Sequence, residues 1–212
     1  MKNKPFLNII FSIYMIIITL IFCINTGNAQ IRLRNDIAKD SFQNSLITAM
    51  DENVDIKLIG TNNGFWHINK KNKKHRIYHY LTSNSRLPSD QITSICIRKN
   101  NTFWVGTNKG IFRWDGFAEL LINQENSNLP DLKITSIVED THEDLWIGTF
   151  NGGLMKIQKR NEIIYNADNS NLPSNRIVSL SLDENKAVII HLENNQSIES
   201  SSIRKKVNKN RK

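Results

Sequence analysis

A near-copy of itself, 42 residues further on, constrains this chain more than any single residue does. Gly106 and Gly148, Trp104 and Trp146, and Pro88 and Pro130 are each 42 residues apart, and Pro173 follows Pro130 after 43. Around these positions ten-residue stretches recur: "LWIGTFNGGL" from Leu145, "FWVGTNKGIF" from Phe103 and, less completely, "KLIGTNNGFW" from Lys57. A fixed period of this length marks stacked supersecondary units. An apolar residue stands 14 positions ahead of each glycine, at Leu46, Ile92 and Ile134. A fourth start, Ile177, puts His191 where the glycine belongs. Four units are therefore expected over residues 45–199, starting near 46, 92, 134 and 177, with the last degenerate.

Within one unit the periodicity is that of strands. "ITSIVED" places Ile134, Ser136 and Val138 on one face and Thr135 and Ile137 on the other; "DLWIGT", "GLMKI" and "EIIYN" follow, separated by polar turns. Short alternating runs bounded by Asn, Asp, Gly and Lys read as antiparallel strands joined by tight turns. Four such strands per unit of roughly 40 to 45 residues make a propeller blade. The fold class is all-β: a partial or small propeller of about four blades of four antiparallel strands.

This architecture accounts for the recurring motif without catalysis. Trp104, Trp146 and their equivalent Leu58 are expected between neighbouring blades, where large apolar side chains fill the gap between twisted sheets. Gly60, Gly106 and Gly148 are expected where a side chain would obstruct another backbone. Asn62-Asn63-Gly64, Asn108-Lys109-Gly110 and Asn151-Gly152-Gly153 suit turns that need positive φ. No Gly-Lys-Ser/Thr and no helix follows these glycines, which excludes a phosphate loop.

The ends differ from the middle. Lys2 and Lys4, an apolar run from Ile9 to Ile24 and the small residues Gly27 and Ala29 read as a signal peptide over residues 1–29. The apolar run is shorter than the roughly 20 residues that span a bilayer as a helix, so a membrane association is expected only if this segment stays uncleaved. Residues 30–44 form an N-terminal segment, and residues 200–212 a basic tail expected to be disordered after Ile203. The formal net charge of +8 sits in these ends: two lysines in the signal and six basic residues from Arg204 to Lys212, leaving the rest neutral. A neutral body offers no phosphate-binding field, so no nucleic-acid partner is expected. "KKNKKHR", Lys70 to Arg76, reads as a solvated turn between strands. Cys96 is the only cysteine left after cleavage, which excludes an internal disulfide, and its apolar setting makes it a small core residue.

"NLPDLKITSIVEDTHEDLWIGTFNGGLMKI" resembles the two-component regulator propeller repeat, through Leu129, Pro130, Asp140, Leu145, Trp146, Ile147, Gly148, Thr149, Gly152, Gly153 and Leu154. The second unit matches through Leu87, Pro88, Trp104, Gly106, Thr107 and Gly110, with Arg98 in place of the Asp. The first keeps Gly60, Thr61 and Gly64; the fourth keeps Leu172, Pro173 and Asp183 and reads "VIIHLEN" in place of the Trp-Gly-Thr core. The resemblance implies the periplasmic sensor region of a hybrid histidine kinase, of a kind that often responds to glycan breakdown products. Such sensors continue into an immunoglobulin-like module, a membrane helix and a kinase, which the sequence here does not contain.

The resulting expectation is a non-catalytic, periplasmic or secreted ligand-sensing module without kinase output, for an oligosaccharide or other small ligand, with a propeller or kinase protein as a further partner. An alternative is an interaction scaffold that pairs with another propeller segment through open sheet edges; a propeller lyase is a weaker third reading. No catalytic residue, cofactor or metal site is expected. Among His67, His75, His79, His142 and His191, no two have zinc-site spacing on a helix, and His75 and His79, four apart on a strand, would lie about 13 Å apart. Glu143-Asp144 reads as a solvated turn. Any ligand should meet the turns after the Gly-Thr pairs, at Asn62, Asn63, Asn108, Lys109, Phe150 and Asn151, where loops of different blades converge. The missing Trp-Gly-Thr of the fourth unit predicts an open arc. Two segments compete to complete the fourth blade: "IRLRN", Ile31 to Asn35, as an outer strand, or "SIESSSIRKKV" as its third and fourth strands.

Overall fold

The structure, a computed structural model, describes residues 45–71, 76–159 and 161–206. The signal-peptide reading, residues 30–44 and the tail from 207 onward lie outside the described residues. The described chain forms fifteen strands in four antiparallel sheets, with two short 3-10 turns. Blade one comprises β1 (Ile47–Glu52), β2 (Ile56–Thr61), β3 (Phe65–Asn69) and β4 (Arg76–Tyr80). Blade two comprises β5 (Ile92–Ile97), β6 (Phe103–Thr107), β7 (Gly110–Trp114) and β8 (Glu119–Ile122). Blade three comprises β9 (Ile134–Glu139), β10 (Leu145–Thr149), β11 (Leu154–Gln158) and β12 (Asn161–Tyr165). Blade four has three strands, β13 (Ile177–Leu182), β14 (Val188–Leu192) and β15 (Ser197–Glu199). Strand order within every sheet follows chain order, as a meander of short antiparallel strands requires.

The blades stack in sequence through three apolar cores. One core joins blades one and two through Ile56, Leu58, Phe65, Ile92, Ile95, Phe103, Val105 and Phe112. A second joins Cys96, Trp104 and Ile111 of blade two to Ile134, Ile137, Leu145, Ile147 and Met155 of blade three. The third joins Trp146 and Leu154 of blade three to Ile177, Leu180, Val188, Ile190 and Leu192 of blade four. Leu87, Leu129 and Leu172, the leucines of the Leu-Pro connectors, seal these three cores in turn. No core among the described residues joins blade four to blade one, so the described blades form an open arc.

Two details correct the sequence reading. Simple alternation fails at the start of every first strand, because a one-residue bulge follows Ile47, Ile92, Ile134 and Ile177. The extra residue lets Ile134 and Ile137 face the same neighbour, blade two, while Val138 faces blade four. The first unit also starts one residue later than expected. Ile47 pairs with Thr61 as Ile92 pairs with Thr107, so Ile47 rather than Leu46 is the equivalent of Ile92. Between the equivalent pairs Glu52 with Lys57 and Ile97 with Phe103, the first hairpin has one residue fewer than the second.

The glycines of the motif also act differently from expectation: the obstruction is a side chain of the next blade, not a backbone. A Cβ at Gly60 would lie 2.5 Å from Cγ2 of Ile92; at Gly106, 2.7 Å from Cγ2 of Ile134; at Gly148, 2.8 Å from Cγ2 of Ile177. Each glycine is a socket for the first isoleucine of the blade that follows. The adjacent threonine closes the turn. Oγ1 of Thr61, Thr107 and Thr149 donates to the carbonyls of Gly64, Gly110 and Gly153 at 2.8 Å in each case, and each hydroxyl also accepts a backbone N–H within its turn.

The aspartate of the repeat has a defined partner. Asp140 accepts from the N–H groups of His142 and Asp144 and, at 2.9 Å, from Nε1 of Trp146. In blade two Arg98 stands there instead, and Nε1 of Trp104 is buried without an acceptor among the described residues. Arg98 reaches across to blade three, donating to Glu139 at 2.6 Å and to the carbonyl of Glu143. Asp144, expected in a solvated turn, is buried and paired with Lys156 at 2.8 Å and Gln158 at 2.9 Å.

Of the two strands expected from the C-terminal segment, blade four receives one among the described residues. Ser197–Glu199 supplies the third strand, and a 3-10 turn at Ser200–Ser202 replaces a fourth. The chain from Arg204 to Lys206, the described part of the tail expected to be disordered after Ile203, instead lies against the connector after β12. Ile203 is buried, Asn171 donates its backbone N–H to the carbonyl of Arg204, and Lys206 donates its own to that of Asn169. "IRLRN" lies outside the described residues.

Candidate functional site

The six residues singled out for ligand contact occupy equivalent places, the turns β2–β3, β6–β7 and β10–β11, at the same end of three successive blades. The register that makes the blades equivalent brings them to one face of the arc. Several are tied into the fold. Asn62 Oδ1 accepts the N–H of Leu46 at 2.9 Å, Asn108 Nδ2 donates to Gln91 Oε1 at 2.9 Å, and the backbone N–H of Asn151 donates to Asp131 at 2.8 Å. The side chains of Asn63, Lys109 and Asn151 are exposed and make no side-chain hydrogen bond among the described residues. They could meet a ligand without disturbing the blades.

Phe150 has companions that the sequence reading missed. Lys133 Nζ lies 3.6 Å and Arg176 Cζ 4.3 Å from its ring centroid, both within cation–π range. These cations stand immediately before Ile134 and Ile177, the position that Gln91 holds in blade two. Aligning the residue before each first strand with the turns would have exposed the cluster. Arg176 is only loosely paired, 3.9 Å from Glu193. The face thus combines carboxamides, an aromatic ring and the exposed cations Lys109, Lys133 and Arg176.

The described histidines have separate surroundings. His67 is buried among Tyr78, Tyr80 and Phe103, with neither ring nitrogen hydrogen-bonded among the described residues, and burial pushes its pKa below the usual histidine value. His79 stacks on Trp66 at 3.9 Å, His142 lies in the β9–β10 turn, and His191 lies between Ser181 and Ser197; His75 is outside the described residues. Burial pushes the Cys96 thiol up to about 12, the behaviour of an inert core cysteine rather than a nucleophile. Among the described residues no group of three or more His, Cys, Asp or Glu side chains is placed to hold a metal ion.

Residues 86–109 and 128–151 match the two component regulator propeller family. These segments run from the Leu-Pro connector through the Gly-Thr turn of blades two and three. Among solved structures, the extracellular domain of a hybrid two component system from B. thetaiotaomicron is similar, with 25% identity and a TM-score of 0.58 over 69% of this chain and 20% of that one. PorZ, a bacterial surface component of the type-IX secretion system of Porphyromonas gingivalis, shares the fold at 17% identity and a TM-score of 0.54, over 72% of this chain and 25% of that one. The chain therefore spans a fifth to a quarter of the length of these two structures. No curated protein sequence matches it significantly. Among the described residues no helix is long and apolar enough to cross a membrane.

Proposed function

We propose, for a chain that carries two component regulator propeller repeats, the role of a non-catalytic sensing module outside the cytoplasm, binding a glycan-derived ligand on the face of the arc that carries the turns after the Gly-Thr pairs. The observation that carries this reading is the likeness at 25% identity to an extracellular domain of a hybrid two component system. Site chemistry narrows the ligand class. Exposed Lys109, Lys133 and Arg176 favour a carboxylate-bearing sugar over a neutral one, while the carboxamides of Asn63 and Asn151 suit hydroxyl groups. Titration with acidic and neutral oligosaccharides, read by melting temperature and calorimetry, tests it. Binding of the acidic set, weakened by Lys109→Ala with Asn151→Ala at a stability change within about 0.5 kcal/mol, is the expected outcome. No response to either set at millimolar concentration would remove the ligand-sensing reading. A partner-binding scaffold is the second reading, favoured by apolar exposure on blade one.

A further inference from the structure

Two asparagine-glycine pairs lie on the turn face, Asn63-Gly64 in blade one and Asn151-Gly152 in blade three. Glycine leaves its amide nitrogen unshielded and free to swing toward the preceding side chain. That nitrogen can attack the asparagine Cγ: the N–Cγ bond forms, the Cγ–Nδ2 bond breaks, and ammonia leaves with the amide proton. Water then opens the succinimide ring at either carbonyl, giving aspartate or, with the main chain rerouted through Cγ, isoaspartate. The two pairs are identical in sequence and differ in what holds them.

The difference comes from one residue. The hydroxyls of Thr61 and Thr107 reach a glycine carbonyl three positions on, whereas that of Thr149 reaches Gly153, four positions on. In blade one the nitrogen that would attack belongs to Gly64, whose N–H donates at 2.7 Å to the carbonyl of Asp90, in the connector that leads to blade two. The same link to the next connector is made by Gly110 to Leu132 and by Gly153 to Asn175, each at 2.8 Å. The longer turn of blade three thus gives that link to Gly153 and frees Gly152 from it. Gly152 stands instead where Asn63 and Lys109 stand, its N–H donating within its own turn to Thr149 Oγ1 at 3.1 Å.

The other end of each peptide unit sharpens the contrast. Nε2 of His79 donates to the Asn63 carbonyl at 3.0 Å, so the Asn63–Gly64 peptide is held at its oxygen by one strand and at its nitrogen by the next blade's connector. The Asn151 carbonyl and side chain make no hydrogen bond among the described residues, and Asn151 is exposed. Ring closure needs the peptide to rotate, which is a local opening. At Asn151 it breaks one bond to a hydroxyl; at Asn63 it breaks two, one of them between blades. Blade three cannot shed the reactive glycine, since a Cβ at Gly152 would lie 2.7 Å from the carbonyl of Pro130.

From this asymmetry we infer that Asn151 is a site of spontaneous deamidation in the folded protein, and that the fold protects Asn63. Either product puts a new carboxylate beside Asp131, whose Oδ2 accepts the Asn151 N–H at 2.8 Å, and next to the cations gathered at Phe150. The turn face then loses an amide and gains a negative charge, which weakens its hold on an acidic ligand. That consequence rests on the ligand-sensing reading; the modification itself does not.

The test uses the full, unaltered chain, aged in mildly alkaline buffer either folded or unfolded in urea. Peptide mapping by mass spectrometry follows the amide-to-acid mass gain at residues 63 and 151, and circular dichroism verifies that the folded sample stays folded. In the folded chain Asn151 should convert about three to ten times faster than Asn63, the effect of one further hydrogen bond on an opening equilibrium. In urea the two rates should converge, because the dipeptide is the same. Equal rates in the folded chain, faster conversion at Asn63, or an Asn151 that stays intact while the unfolded chain converts overturns the inference. A difference that persists in urea overturns it as well, since sequence rather than fold would then set it. None of these outcomes bears on the ligand-sensing reading, whose titration is made on fresh protein.

Discussion

Blades three and four begin alike and end differently. Both open with a buried isoleucine, Ile134 or Ile177, followed by a bulge, and both close the turn between their first two strands on an aspartate, Asp140 or Asp183. Toward the next position in the arc, blade three offers Val138, Trp146, Gly148 and Leu154, whereas blade four offers Ser181, Ile189, His191 and Ser197. Facing inward, a blade is recruited by its isoleucines. Facing outward, it recruits the next only if it keeps the tryptophan and glycine. The motif repeated along this chain is thus the outward half of an interface, and blade four lacks it.

The strongest way to break this comparison is to remove the large residue on each side of it. Trp146→Ala empties a site between two blades and takes away the indole donor to Asp140, so a loss of about 3 to 5 kcal/mol is expected. Ile189→Ala, at the same register position on the capped face, should lose about 1 kcal/mol, in keeping with partial burial. Chemical denaturation of both variants checks the ratio, and equal losses would mean that the outward faces do not differ.

A smaller contrast comes from the socket itself. Gly148→Val drives a branched side chain against Ile177 and should destabilise by about 1 to 3 kcal/mol. His191→Val fills a position already filled and facing no further blade among the described residues, so its change should stay within about 1 kcal/mol. Melting temperatures measured side by side decide this.

The smallest effect separates the third strands. His67 occupies on blade one the position that Glu199 holds on blade four, but it is buried, and its folded pKa is lowered by desolvation. The unfolded chain takes up a proton that the folded chain resists. The stability associated with neutral His67 is therefore fully present above the unfolded value near 6.5 and is lost as pH falls below it toward the folded pKa. Stability measured between pH 5 and 8 should show an acid-side decline in the unaltered chain that is reduced in His67→Leu. Identical pH profiles would place the acid sensitivity elsewhere.

Much of this was legible in the sequence, for an identifiable reason. The 42-residue spacing, the Leu-Pro connectors and the Trp-Gly-Thr core recur because each meets the same neighbour in each blade. Recurrence is visible without a structure. The missed features depend on pairing across strands. The bulge after Ile134 is hidden because Ile134 to Val138 still alternates on paper, and only the pairing of Thr149 with Ile134 and Gly148 with Ser136 exposes the extra residue. Asp144 looked solvated because its partner Lys156 lies across the hairpin. Of the candidate site, the turns were found but not the cations at Phe150, since Lys133 and Arg176 come from the connectors of two different blades.

The central claim is that the recurring glycine exists to receive the isoleucine of the following blade, and a double-mutant cycle at the tightest junction tests it most directly. Gly60→Ala places a methyl group 2.5 Å from Cγ2 of Ile92, and Ile92→Leu removes that β-branch. If the two positions meet as described, each single change destabilises the fold, and the pair is less destabilising than the sum by about 0.5 to 3 kcal/mol. Additive losses, with no coupling between Gly60 and Ile92, would contradict the account.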